Sequence, residues 1–136
     1  MTNWARSLIR LSGYEVETLQ KRLAEITTRR ASAEVRVAVL DAEYEVERER
    51  STFDAHAAMQ MSAYVAGWRL RKAAAEAEFQ QVWTEEEGAR DALALAFEAQ
   101  KKFEQVAEMA RVRDLAETSR RETQALDELA LRRATA

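Results

Sequence analysis

Apolar residues recur along the first part of the chain at alternating intervals of three and four. The stripe reads Ile9, Ser12, Val16, Leu19, Leu23, Ile26, Arg30, Ala33, Val37, Leu40, Tyr44, Glu47, and nine of these twelve positions are apolar. This spacing gathers them on one narrow helix face, the seam that one helix offers another. A helix in a compact globule shows a wider stripe, so the pattern predicts a two-stranded partner. Arg30 interrupts the seam. A polar residue there either fixes register at some cost in stability or runs its methylenes along the seam and its head out to water.

Past Glu47 the period falters across Arg48-Glu49-Arg50-Ser51-Thr52. Phe53, Ala57, Met61, Tyr64 and Trp68 resume it at spacings of mostly four. Ser51-Thr52-Phe53-Asp54 suits the start of a new helical segment, and the break reads as a phase shift or kink. Gly67 lies near the midpoint and is the predicted reversal. The alternative is a break at 84–88, where Thr84-Glu85-Glu86-Glu87 precedes Gly88. Equal arms favour Gly67, because both seams then find partners and Leu23 comes to face Ala110. The second arm carries Phe79, Val82, Ala89, Leu93, Ala96, Phe103, Ala107 and Ala110, continued in another phase by Val112, Leu115, Leu126 and Leu129. The expected fold is therefore all-α, a long antiparallel two-helix coiled-coil hairpin in one domain over 1–136. Its helices span ~4–64 and ~70–131, its turn ~65–69, and a frayed tail follows.

Composition agrees. The chain has no proline, no cysteine and three glycines in 136 residues, and charged residues make up 33%. Loops draw on Gly, Pro, Asn and Asp, so few loops are available. Without cysteine there is no disulfide and no thiolate metal site. No apolar run approaches the ~18 residues of a membrane span, and charges within the first ten residues argue against a secretory signal. A soluble chain, not inserted in a membrane, is expected. Net charge is −3, unevenly spread. Residues 1–40 carry seven Lys/Arg against four Asp/Glu; residues 41–91 carry six against twelve; residues 98–136 carry eight of each. No cluster is basic enough for a nucleic-acid footprint. The gradient suggests different partners at different places, or solvated faces only.

No catalytic constellation emerges, and neither cofactor nor metal is expected. His56 is the only histidine, and Phe53 stands where a Glu-x-x-His metal pair would need its acid. A two-helix rod offers no pocket for a Ser-His-Asp arrangement. Gly13, Gly67 and Gly88 stand alone, without the spacing of a phosphate-binding loop. The acidic runs Glu43-Glu45-Glu47-Glu49 and Glu85-Glu86-Glu87 read as solvated faces, since alternate residues on a helix diverge. The aromatics are more informative. Trp68, with Tyr64, Val65 and Phe79, would crowd the expected turn, where a thin rod cannot cover them all. Such a cluster either plugs the seam or anchors a partner. Trp4, with Leu8 and Leu11, makes a similar case for the opposite end.

The closing segment carries a resemblance. Arg121-Glu122, then Leu126-Asp127-Glu128, Ala130 and Arg133, resembles the ending of the FliJ family of flagellar type III export proteins. Phe97-Glu98-Ala99-Gln100-Lys101-Lys102-Phe103-Glu104 is similar to its second helix, and Leu8, Arg10, Leu11, Glu15, Glu17, Leu19 and Leu23 to its opening helix. The resemblance implies a non-enzymatic stalk of the export apparatus, shaped like the central stalk of a rotary ATPase. The end carrying both termini would meet the hexameric export ATPase. The hairpin tip would reach the cytoplasmic domain of the export gate FlhA, and export chaperones would be cycled. It implies a cytoplasmic protein, peripheral at the inner membrane. Arg6, Arg10, Lys21, Arg22, Arg121, Asp127, Glu128 and Arg133 are the expected ATPase-end residues; Tyr64, Val65, Trp68 and Phe79 are the expected tip residues. A generic coiled-coil scaffold and the equivalent stalk of a virulence injectisome are the alternatives.

Overall fold

The structure, a computed structural model, describes residues 3–136. Helix α1 spans Asn3–Ser51 and helix α2 spans Ala55–Thr135. No strand interrupts them among the described residues, and the fold is an all-α antiparallel hairpin.

The reversal is not at Gly67. It is made by Thr52, Phe53 and Asp54, and Gly67 lies inside α2. The helices are therefore unequal, 49 and 81 residues. The physical reason lies in the hydrogen bonds. The last carbonyls of α1 are taken by turn amides: Thr52 N donates to Glu49 O at 3.1 Å and Asp54 N to Arg50 O at 3.1 Å. The Asp54 carboxylate then accepts from the amides of His56 (3.0 Å) and Ala57 (3.3 Å), which caps α2. None of the described residues has a positive φ, so this turn never calls on glycine.

The chain forms two compact units, Thr18–Leu93 and Met1–Glu17 with Ala94–Ala136. Thr18–Leu93 holds the reversal. Its core cluster is Ile26, Val82 and Ala89, with Leu23 packed against it. Leu23 thus packs within its own unit, against the cluster of Ile26, Val82 and Ala89. Cross-helix pairs step outward from the turn: Glu43–Arg71, Asp41–Lys72, Arg36–Glu78, Arg30–Glu86 and Arg29–Glu85. Every α1 seam position of this unit, from Leu19 to Glu47, is buried or half-buried. The same holds for Ala57, Met61, Tyr64, Trp68, Phe79, Val82 and Ala89 on α2.

In the other unit, Ala5, Ser12 and Val16 are buried on α1, and Ala96 and Ala107 on α2. The Ser12 hydroxyl donates to Ile9 O at 2.8 Å, so its burial leaves no unpaired donor. Gly13 faces Gln100. Beyond Ala110 cover ceases: from Arg111 to the end every residue is exposed except Glu117, which is half-buried. Val112, Leu115, Leu126 and Leu129 are apolar but uncovered there. They do not continue the seam.

Candidate partner-binding surfaces

The expected tip residues do not sit at the turn. Tyr64, Val65, Trp68 and Phe79 follow the reversal by ten or more positions and are all half-buried beside α1. Trp68 lies 4.7 Å from the Tyr44 ring, tilted by 34°. Its indole Nε1 donates to Leu40 O at 2.6 Å, and the Lys72 ammonium lies 5.0 Å from its ring centroid. This satisfies the polar handle of a Trp whose rings are already packed. Trp68 is thus a plug in the seam. Lys72 is in turn fixed by Asp41 at 2.6 Å, and that hydrogen bond, opposed by burial, raises its pKa above the ordinary lysine value. Phe79 lines a groove of about 530 Å³ with Val37, Ala38 and Asp41. The Tyr64 hydroxyl is buried without a hydrogen-bond partner among the described residues.

The turn exposes other residues. Phe53 is 78% exposed and Met59 is 83% exposed, so two large apolar side chains project at the reversal. Sequence reasoning had Phe53 in the seam; a turn at 52–54 takes it out. His56 is an exposed helix residue near Gln60, whose amide nitrogen lies 3.3 Å from the imidazole Nε2. Among the described residues no three of His, Cys, Asp and Glu converge on a metal-sized site, and no helix is long and apolar enough to cross a membrane.

The expected ATPase-end residues are not one cluster. Gly13 opposite Gln100 sets the register of their unit, which puts Arg6 near position 107 and Arg10 near 103. Arg121 and Arg133 then lie ~20 Å and ~40 Å farther along α2, at 1.5 Å per residue. They stand on uncovered helix with Asp127 and Glu128. Lys21 and Arg22 are exposed on α1 in the Thr18–Leu93 unit. Only local ties order the uncovered segment. Glu117 accepts from Arg120 at 2.8 Å and from Arg121 at 3.3 Å, and Glu108 pairs with Arg111 at 2.6 Å. Trp4 and Leu11 are exposed and Leu8 is half-buried near the start of α1.

The chain is 50% identical over 134 residues to the flagellar FliJ protein of Caulobacter vibrioides, in strain NA1000 / CB15N and in strain ATCC 19089 / CIP 103742 / CB 15 alike. The match covers 98% of this chain and 96% of each relative. No family model matches the chain, and no solved structure does.

Proposed function

This chain belongs to the FliJ family of flagellar proteins, and we propose that it acts as a non-enzymatic stalk in flagellar type III protein export. In this reading the uncovered end of α2 docks into the hexameric export ATPase. The turn end meets the cytoplasmic domain of FlhA, and export chaperones are received along the way. The protein would work in the cytoplasm, peripheral at the inner membrane through these partners.

The observation that supports this best is the stretch of α2 beyond Ala110. It presents Leu126, Leu129 and Leu131 to solvent on a helix with no second helix against it. Uncovered apolar residues flanked by Arg121, Arg132 and Arg133 suit insertion into an acidic, apolar-lined ring. At the turn, Phe53 and Met59 supply the apolar anchors that Trp68 does not.

The test is a pull-down with the full chain, a chain lacking residues 124–136, and Phe53→Ser. The truncation should lose the ATPase and keep the FlhA cytoplasmic domain. Phe53→Ser should do the reverse. Unchanged ATPase capture by the truncated chain would sink the assignment.

A further inference from the structure

Within Thr18–Leu93, a shallow groove of about 490 Å³ runs between the helices near the turn. Val39, Ala42 and Val46 line it from α1, Tyr64 and Arg71 from α2. Three features of this flank serve nothing inside the hairpin.

The first is Gly67. It follows Tyr64 by three residues and precedes Arg71 by four, so it shares their flank of α2. Glycine is the least helix-favouring residue short of proline. A Cβ added here would meet nothing within 4 Å, so no close approach within the chain requires its absence. The second is the α1 side. Val35, Val39 and Val46 are 59%, 48% and 63% exposed, and with Ala42 they recur at intervals of four, three and four. That is the spacing of a second seam, built from β-branched residues that gain nothing on a solvated helix. The third is the Tyr64 hydroxyl, shielded yet without a partner. A buried hydroxyl is ordinarily hydrogen-bonded.

An uncovered seam and an unanswered hydroxyl on one inter-helical groove, with a missing Cβ on the same flank of α2, describe a berth for a third helix. Helices pack at 8–10 Å between axes, and glycine permits the closest approach. Charge selects the occupant. Glu43 and Glu47 also line the groove, and residues 41–91 carry twelve acidic against six basic side chains. Arg71 pairs with Glu43 at 3.4 Å and Glu47 lies 3.9 Å from Arg50, and the lining of Glu43, Glu47 and Arg71 is left with one negative charge in excess. A second copy would bring the same acidic flank against this one. We propose that the groove receives a basic amphipathic helix of a partner protein, seated against Val39 and Val46 beside the α2 flank that carries Gly67. The inference rests on the groove alone and does not depend on the export role.

The probe is a synthetic helical peptide of ~20 residues, ~30 Å long at 1.5 Å per residue, enough to overlap the stretch from Val39 to Glu47 that lines the groove on α1. It carries Leu and Ala on one face and Lys on its flanks; a matched peptide carries Glu instead. Binding to the full chain is read by fluorescence anisotropy, and folding by circular dichroism. The Lys peptide should bind, more weakly as salt rises, and the Glu peptide should bind at least ~10-fold less tightly. Gly67→Leu fills the berth while favouring the helix. It should keep or raise Tm and weaken the Lys peptide by ~10-fold or more. Val39→Lys, at an exposed position, should weaken binding likewise. Gly88→Ala, another helical glycine with open space, should raise Tm and leave binding intact. No binding of the Lys peptide, equal binding of the two peptides, or indifference to Gly67→Leu would each overturn the proposal. So would a concentration-dependent dimer abolished by Gly67→Leu, which would put a second copy in the groove.

Discussion

Arg30 and Glu86 are bound to each other across the two helices, Arg30 Nε 2.5 Å from Glu86 Oε2. The Glu86 side chain is only 4% exposed, and its other oxygen accepts from Arg90 at 2.6 Å. Arg30 also reaches Glu34 at 2.8 Å, so four charges form one connected group. The polar interruption of the α1 seam is therefore a register device. Shifting either helix by one turn would part the buried Glu86 carboxylate from Arg30.

Glu86→Ala should accordingly cost more than an average surface substitution. It leaves Arg30 half-buried without its seam partner. Breaking a fully buried pair costs about 3–5 kcal/mol; Arg30 keeps water and Glu34, so about 1–3 kcal/mol is expected. Replacing both residues by leucine should restore most of that, as apolar isosteres often do. Urea denaturation of the two single variants and the double variant measures the coupling.

Trp68→Ala should destabilise the hairpin rather than spare it. The substitution removes the contact with Tyr44, the bond to Leu40 O and the ring beneath Lys72. Full-core Trp→Ala changes cost 3–5 kcal/mol; a half-buried site should lose about 2–3. An unchanged Tm would show that the indole is not part of the seam.

Spin labels at positions 36 and 78 test the reversal directly. Arg36 and Glu78 form an ion pair at 2.7 Å. A turn at Thr52–Asp54 puts the labels within ~20–25 Å, allowing for two side chains across 8–10 Å between axes. A turn at Gly67 would place them ~30 Å apart along the axis in addition, at 1.5 Å per residue.

The Glu108–Arg111 pair gives a pH signature on α2. The Arg111 hydrogen bond holds the Glu108 carboxyl below its ordinary value. A depressed folded-state pKa contributes stability present above the unfolded value and lost as pH falls through the folded one. NMR titration should find Glu108 protonating below the ordinary glutamate value, and Arg111→Ala should return it there.

Both seams were legible in the chain because three-and-four spacing reports directly which face is covered. All twelve α1 positions and all eight α2 positions from Phe79 to Ala110 are buried or half-buried. The turn is not legible, because no glycine marks it. Thr52-Phe53-Asp54 turns with negative φ and an aspartate cap, and its polar approach looks the same as a kink. With a turn at Gly67, Arg30 has no partner near Glu86; with the true turn the two are opposite. The same displacement moved Trp68 from an exposed tip into the seam and hid Phe53 and Met59.

The stretch of α2 past Ala110 has one more consequence. Most helical stability in proteins comes from packing of one face, and this stretch has none, so intrinsic propensity and i,i+3 and i,i+4 ties hold its turns together. Its helicity is a fluctuating quantity, and any partner that grips the folded form must draw on that equilibrium. Intrinsic propensity then becomes an affinity dial. Thr118 and Thr123 bond back to their own helix through Asp114 O and Ser119 O, and threonine is worth about 0.5 kcal/mol less helix than alanine. Alanine at both positions should lengthen the folded population and tighten docking severalfold without touching the partner. Two glycines there should loosen it by a comparable or larger factor. Selection could thus tune how firmly this end engages by editing residues that no interface would ever reveal.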